Sequence, residues 1–175
     1  VLHQMRKRLG AEAVAVQLPI GNEENFRGVV DLIEQKAWEF DEDEMAPPME
    51  AEIPERMRDL VDAFREHLVV SLADINPELE EKFFAGEEPT PEEMWATIRE
   101  ATIAGTLVPV LCGSAFKNKG VQPLLDAIVR SLPSPLDVPP VVGEHPATGE
   151  EETRAPDPDE PFCALAFKVA VDPFV

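Results

Sequence analysis

A turn of small residues followed by two lysines is the stretch of this sequence best suited to holding a ligand. The tripeptide Gly-Ser-Ala at 113–115 ends the apolar run 107–113, and Lys117 and Lys119 follow before a helical pattern begins. Small side chains let a ligand approach the main chain, whose N–H groups can donate to an acceptor oxygen. We call residues 113–120 the Ser-Ala turn. The turn predicts a site at which main-chain N–H groups bind an acceptor oxygen on the edge of a ligand. Many turns of this kind, however, contain small residues only so that the chain can reverse direction.

A second candidate surface lies on a predicted acidic helix at 55–73. Apolar residues recur there at helical spacing, which predicts a buried stripe. That stripe is Met57, Leu60, Val61, Phe64, Leu68 and Leu72. The opposite side carries a row of carboxylates, the acidic row, with two valines beside its end. These residues are Glu55, Asp59, Asp62 and Glu66, flanked by Val69 and Val70.

Two interpretations of this acidic helix remain open. Acid mixed with aliphatic surface is typical of a protein-docking face, but the next helix could instead cover the valines. The 175-residue chain has a net charge of −20, and residues 39–100 alone hold 20 acidic and 5 basic side chains. That charge would repel nucleic-acid phosphates and would complement a basic protein partner, so no DNA binding is expected. A solvated, solubilising surface is the alternative.

The sequence gives little indication of a metal site, a disulfide or a catalytic triad. Cys112 and Cys163 each lie inside an apolar run, which predicts buried thiols in a reducing compartment. His3, His67 and His145 are far apart and suggest neither a metal site nor a catalytic triad. No signal peptide or membrane-spanning apolar run is present, so a cytoplasmic location is expected.

The elements that must position these residues follow from periodicity and end signals. Helices are predicted at 1–9, 55–73, 77–85, 91–103 and 121–132. Strands are predicted at 13–20, 26–33, 36–40, 107–113 and 162–171. The segment 41–53 is predicted to be a loop and the proline-rich segment 133–161 a linker.

The predicted strand and helix around the Ser-Ala turn favour an α/β fold. The run 107–113 is apolar on both faces, which is typical of a strand inside a parallel sheet covered by helices. The helix that follows should face inward with a stripe of five residues. That stripe is Leu124, Leu125, Ile128, Val129 and Leu132. The chain begins inside a helical pattern and stops inside a strand pattern, so we expect a portion of a larger protein.

The longer string around the turn, "GSAFKNKGVQPLLDAIVRSLPSPLDVP" at 113–139, closely resembles the elongation factor G family of translational GTPases. The likeness extends along most of the chain. It also covers "HQMRKRLGAEAVAVQLPIGNEENFRGVVDLIEQKAW" at 3–38 and "EEKFFAGEEPTPEEMWATIREATI" at 80–103. "PFCALAFKVAVDPFV" at 161–175 resembles the opening strand of that family's second domain.

The resemblance implies a division of the chain into parts of a P-loop GTPase, a Rossmann-like α/β domain. Residues 1–10 would be a core helix, and 11–107 an α+β acidic insert, called G′ in the family. Residues 108–133 would be the last strand and helix of the core, and 134–160 an acidic linker. The stretch 161–175 would then be the truncated first strand of a β-barrel domain.

The resemblance also implies roles for three residues of the Ser-Ala turn. Ala115 would donate its backbone N–H to O6 of guanine, Phe116 would pack beside the base, and Ser114 would brace the loop through its side chain. The parent protein would bind GTP or GDP with Mg²⁺ and hydrolyse GTP. The phosphate-binding loop, the switch regions and the Asn-Lys-x-Asp motif are not in these residues, so the chain alone should neither bind nucleotide well nor hydrolyse it.

The expected partners follow from the same resemblance. The parent, a monomer, would act on the ribosome in translocation, and the insert would face the stalk protein usually called L7/L12. An acidic helix meeting a basic partner agrees with the charge pattern. Two alternatives remain open: a related ribosomal GTPase of the recycling, release or ribosome-protection type, and a free-standing acidic binding module without enzymatic activity.

Overall fold

The computed structural model describes residues 1–41, 43, 46–166, 168 and 169. The chain divides into two compact units, Val1–Leu132 and Pro133–Val175. The first unit combines α-helices with one parallel and one antiparallel sheet, so the chain has an α/β fold as the sequence predicts.

The helices of the first unit begin and end close to their sequence signals. They are α1 (Leu2–Leu9), α2 (Arg58–Ala73), α3 (Pro77–Ala85), α4 (Pro91–Ile103) and α5 (Val121–Ser131). The Asn76 side chain accepts a hydrogen bond from Glu78 N at 2.9 Å, which starts α3. Thr90 and Glu93 form a reciprocal capping box that starts α4. These local signals explain why α3 and α4 begin at the predicted residues.

The strands of the first unit form two separate sheets. They are β1 (Ala13–Ala15), β2 (Gln17–Ile20), β3 (Gly28–Asp31), β4 (Lys36–Glu39), β5 (Met49–Ala51) and β6 (Val108–Val110). Strands β2, β3, β4 and β5 are joined in that order as an antiparallel sheet. Strands β1 and β6 form a parallel pair. The predicted hairpin of the second and third strand patterns is confirmed as β3–β4.

The single strand predicted at 13–20 is wrong, because the chain changes sheets at Val16. Val16 N–H donates to Val110 O at 3.0 Å, beside the parallel pair. Val16 O accepts from Leu32 N at 3.0 Å, beside the antiparallel sheet. As a result β1 belongs to the parallel pair, and the antiparallel sheet starts at Gln17. The insert boundary at residue 11, implied by the resemblance, stays a prediction.

A short edge strand lies inside the segment predicted to be a loop. Met49–Ala51 pairs with Ala37, Trp38 and Glu39 of β4. Three residues among acid and proline are too few to produce a period-two pattern, so the sequence did not reveal this strand. The ion pair between Lys36 Nζ and Glu50 Oε2, at 3.1 Å, joins the two strands at the surface.

The core of the first unit lies between the antiparallel sheet and the helices α2 and α4. Its largest fully buried side chains are Ile20, Leu32, Ile33, Leu68, Leu72, Met94 and Ile98. Burying such aliphatic side chains stabilises a fold by about 1.5–3 kcal/mol each. The apolar stripe predicted for α2 is largely confirmed, although Leu60 is exposed.

One charged side chain, Arg65 of α2, lies within this core with 9% of its surface exposed. Its Nη1 donates to Leu32 O at 2.6 Å and to Ile33 O at 3.0 Å, in the turn between β3 and β4. Its Nη2 donates to Glu88 Oε2 at 3.2 Å, in the loop between α3 and α4. With the amide turned so that Oε1 faces the guanidinium, Gln35 accepts from Nε at 3.0 Å. Arg65 therefore holds a helix, a strand turn and a loop together.

Helix α5 does not bury the stripe predicted to face inward. Ala127 and Ser131 are buried instead, while all five stripe residues are exposed, Val129 to 80%. Helix α5 contacts α4, and that contact leaves all five stripe residues exposed. Strand β6 is likewise not enclosed: within the described residues β1 is its single strand neighbour, and Val108 is exposed.

The second unit contains a hairpin within the predicted linker. Strands β7 (Val141–Glu144) and β8 (Glu151–Arg154) pair antiparallel. The loop between them is fixed by His145, whose Nδ1 accepts from Ala147 N at 3.3 Å and from Thr148 N at 3.2 Å. In the strand predicted at 162–171, residues 162–166, 168 and 169 are not in a strand, and residues 167, 170 and 171 lie outside the described residues.

Replacing Arg65 tests how much its hydrogen bonds contribute. Arg65→Met would leave two buried carbonyls and Glu88 without their donor, so we expect a loss of about 3 kcal/mol in the free energy of unfolding. Arg58→Met is the matched control, because Arg58 forms an exposed pair with Glu55 at 2.6 Å. That variant should change stability by less than about 0.5 kcal/mol. Urea denaturation measures both, and equal losses would contradict this assignment.

The Asp31 carboxyl should make stability depend on pH. Burial raises the pKa of Asp31 above its ordinary value, although the N–H groups of Glu34 and Ile33 oppose this by donating to Oδ1. Because the folded state holds this proton more tightly than the unfolded chain does, ionisation of Asp31 destabilises the fold as the pH rises from the unfolded-state pKa to the folded-state pKa. Asp31→Asn can accept both hydrogen bonds without ionising, so its stability relative to wild type should be higher at pH 7 than at pH 3.

Urea unfolding at the two pH values measures this difference. Asp31→Ala, which loses both hydrogen bonds, should be less stable than wild type at either pH. A stability difference between Asp31→Asn and wild type that did not vary with pH would contradict the prediction.

Candidate functional site

The Ser-Ala turn joins β6 to α5 and lies at the carboxyl end of the parallel pair. Its centre is a single 3-10 turn, Ala115–Lys117. In α/β proteins the carboxyl ends of parallel strands are where ligands bind, so the turn occupies a position suited to a site.

Main-chain hydrogen bonds close the turn on itself. Ser114 N donates to Lys119 O at 2.8 Å, and Lys119 N donates to Ser114 O at 3.0 Å. Lys117 N also donates to Ser114 O, at 3.1 Å. Ser114 makes no side-chain capping bond to the 3-10 turn, and the expected bracing by its hydroxyl stays a prediction. Its backbone performs that role because both its N–H and its carbonyl face Lys119.

Gly120 permits the close return of the chain. Its φ is +81°, and a Cβ at this position would lie 2.7 Å from Cys112 O and 3.0 Å from Cα of Gly113. Asn118 also adopts a left-handed conformation, with φ of 47°. A residue with a side chain at position 120 would therefore be strained in its backbone and would collide with the strand.

The residues that carry the predicted ligand contacts are exposed. Ala115 is exposed, and Phe116 is 95% exposed. In the part of the chain that the structure describes, no hydrogen bond uses the Ala115 N–H. Ala115 is therefore an exposed residue whose N–H is unused among the described residues, and the exposed ring of Phe116 follows it in the chain. Lys117 and Lys119 are half-buried, and Lys119 Nζ lies 3.5 Å from Phe26 O.

Gln17 of β2 connects the antiparallel sheet to the residue that precedes the Ser-Ala turn. The sequence analysis did not identify this residue. Gln17 is buried, and its Oε1 accepts from Cys112 N at 3.4 Å, one residue before the turn. The Cys112 thiol lies 3.6 Å from Gln17 O. Partial burial raises the pKa of this thiol above its ordinary value. A polar residue inside an otherwise apolar strand pattern was the available signal for this contact.

The structure divides the second candidate surface into two groups. The acidic row is exposed along α2, and within it Glu55 pairs with Arg58 at the helix start. Val69 lies in the core and Val70 is half-buried. The burial of Val69 disfavours a docking contact at that position, but the docking contacts themselves stay a prediction.

Metal binding and membrane insertion find no support in the described part of the chain. Within the described residues, no group of three or more His, Cys, Asp and Glu side chains could hold a metal ion. Among the same residues, every helix is too short or too polar to cross a membrane.

Comparison with known proteins supports the fold assignment. No family model matches the chain. Among solved structures, the chain is similar to the crystal structure of the protein ttk003000868 from Thermus thermophilus, with a TM-score of 0.68 and 30% sequence identity. The match covers 81% of this chain and 21% of that one, so this chain corresponds to a part of a longer protein there. The likeness shows that the two share the same fold over the matched region.

Substituting Gly120 tests the shape of the Ser-Ala turn. Gly120→Ala should cost about 1–3 kcal/mol of unfolding free energy, because it adds a steric clash to a left-handed backbone. Gly86→Ala is the control: its φ is +72°, and a Cβ there would meet nothing within 4 Å. It should lose only about 1 kcal/mol. Hydrogen exchange at Lys117–Lys119 should accelerate in Gly120→Ala alone, and unchanged exchange there would contradict the role assigned to Gly120.

Proposed function

We propose that this chain is part of a translational GTPase of the elongation factor G type and that its Ser-Ala turn contacts the guanine base. The supporting observation is that Ala115 is exposed and that its N–H has no hydrogen-bond partner among the described residues, in a turn braced by its own backbone. The string at 113–139, with its resemblance to that family, supplies the identity of the ligand.

The chemistry of the base explains why a main-chain donor suits this task. Guanine has an acceptor, O6, at the position where adenine has an amino group. A fixed N–H at Ala115 would pair with guanine and face a donor in adenine. Since an unpaired polar group in a site is costly, this single amide would favour guanine nucleotides. The exposed ring of Phe116 would pack beside the base.

The remaining parts of the GTPase would come from outside this chain. Phosphoryl transfer needs a phosphate-binding loop, a Mg²⁺ ligand and a positioned water. Those parts would pack on the uncovered side of α5 and on β1 and β6. The exposed stripe on α5, and a parallel pair without further neighbours in the described residues, support this arrangement, because parallel sheets are normally covered on both faces. In the parent, GTP hydrolysis would drive ribosomal translocation in the cytoplasm.

The acidic insert would serve recruitment to the ribosome. Its exposed acidic row would meet a basic surface on the stalk protein L7/L12. Exposed charge pairs contribute only about 0.2–1 kcal/mol each, so their main effect would be on the encounter rate. A fast, weak contact suits transient recruitment.

Removing one hydrogen-bond donor tests the guanine contact. Ala115→Pro deletes the N–H at the first position of a 3-10 turn, and Ser114 before it already has the extended conformation that a following proline requires, with φ of −129° and ψ of 97°. In the full-length protein, we expect the affinity for GDP to fall about five- to tenfold. Fluorescent GDP titration gives the value.

Ala115→Ser is the matched control, because it changes the side chain and keeps the N–H. It should bind GDP like wild type. If Ala115→Pro and Ala115→Ser bound GDP equally well, the amide would have no part in nucleotide binding. If the full-length wild type bound no guanine nucleotide, the GTPase assignment itself would fail.

A further inference from the structure

Both tryptophans of the chain line the same cleft in the first unit. The sequence contains two tryptophans, Trp38 in β4 and Trp95 in α4, which are distant from each other along the chain. The cleft that they line has a volume of about 390 Å³. That volume lies within the range of about 300–1,000 Å³ that is usual for small-molecule sites. We call this site the tryptophan cleft.

The tryptophan cleft has a base that belongs to the core. Val16, Gln17 and Ala127 line it and are buried, so the shape of the base is fixed by the junction of the two sheets and by α5. Among the described residues, neither the Ser-Ala turn nor the acidic row contributes to the lining. The cleft is therefore separate from both surfaces considered above.

Both cations that line the cleft already have acidic partners. Lys36 Nζ lies 3.1 Å from Glu50 Oε2. Arg130 Nη1 lies 3.7 Å from Glu34 Oε1, which also lines the cleft. Because these positive charges are compensated within the chain, the cleft is poorly suited to an anionic ligand.

Two carboxylates of the cleft have no cationic partner among the residues that the structure describes. They are Asp31 and Asp126. Asp31 is half-buried, and its Oδ1 accepts from Ile33 N and Glu34 N, whereas its Oδ2 has no hydrogen-bond partner in the described part of the chain. A carboxylate that is partly withdrawn from water attracts a cation more strongly than an exposed one does.

The ring of Trp95 already attracts a cation from within the chain. The Arg130 Cζ lies 5.3 Å from its ring centroid, which is within the distance of a cation–π interaction. Tryptophan has the most favourable aromatic face for such contacts. The cleft thus combines two indole rings with two carboxylates that lack a cationic partner, a combination typical of sites for organic cations.

We propose that the tryptophan cleft binds a small organic cation with an aromatic body, which places its charged group near Asp31 and Asp126 and its ring against Trp38 and Trp95. A metal ion is not favoured, because no group of three metal-ligating side chains occurs among the described residues. This site would be additional to the proposed nucleotide contact, and the inference holds whether or not the parent protein is a GTPase.

Nuclear magnetic resonance with a cationic probe and its neutral counterpart tests the proposal. The probe is 1-naphthylmethylammonium, and the counterpart of the same shape is 1-naphthylmethanol. The chain gives two indole N–H signals, from Trp38 and Trp95, and the ammonium compound should shift both. The alcohol should bind at least about tenfold more weakly, since it lacks the charge-assisted contact to a carboxylate. Equal affinities for the two compounds, or unchanged indole signals at millimolar ammonium probe, would overturn the proposal.

A carboxylate variant identifies the anchor of the charged group. Asp31→Asn can still accept the two main-chain hydrogen bonds, but it should weaken binding of the ammonium probe at least about fivefold. Asp74→Asn is the matched control, because Asp74 is exposed at the end of α2 and does not line the cleft. If the two variants bound the probe equally well, the probe would be responding to net charge and the site would be rejected.

A second variant should bind more tightly, which loss of folding cannot imitate. Arg130→Gln removes a cation from the cleft and uncovers the face of Trp95, so affinity for the ammonium probe should rise about two- to fivefold. Arg58→Gln removes the same charge from α2 and should leave the affinity unchanged. If Arg130→Gln bound no more tightly than Arg58→Gln, the cation would not lie beside Trp95 and the proposal would fail.

Discussion

The buried guanidinium of Arg65 is the interaction on which the arrangement of the first unit depends. Its acceptors come from the β3–β4 turn, Gln35 and Glu88, so one side chain fixes α2 against parts of the chain that are distant in sequence. Taking a charge out of water is costly unless its donors are satisfied, and here they are. An alternative packing of α2, rotated or shifted by one turn, would leave this charge without partners. Arg65 therefore specifies one arrangement among several that aliphatic burial alone would permit.

The position of the Ser-Ala turn follows from that arrangement. The β3–β4 turn that accepts from Arg65 also provides Leu32 N, which donates to Val16 O. Val16 directly follows β1 of the parallel pair, whose carboxyl end carries the turn. Gln17 adds a second support through Cys112 N. The exposed amide of Ala115 is thus held by contacts that begin in the core of the antiparallel part of the unit.

Sequence reasoning predicted the elements whose boundaries are local. The capping residues before α3 and α4 determine those helices, because capping involves residues only two or three positions apart. Sequence reasoning was wrong where pairing between residues distant in the chain determines the structure. The pattern at 13–20 does not reveal that the strand serves two sheets, and a stripe such as that of α5 does not reveal what covers it.

The candidate site was predicted to a similar degree. The location of the Ser-Ala turn could be read from its residue types, but its bracing by backbone could not, because that depends on the return of the chain at Lys119. Arg65 was overlooked although it sits four residues after Val61 and three before Leu68, on the buried side of α2. A charged residue in an apolar stripe is the signal that could have identified it.

The pairing of β1 with β6 has an architectural consequence. Val108 N donates to Glu12 O, and Val16 N donates to Val110 O, so the chain leaves the parallel pair at the carboxyl end of β1 and returns to it at the amino end of β6. The segment between Gln17 and Leu107 is therefore a lobe inserted between two paired strands, which form its base. Such a lobe can grow, shrink or be exchanged during evolution while its base keeps the same geometry. This arrangement allows one scaffold to acquire new surfaces without disturbing the turn that it supports.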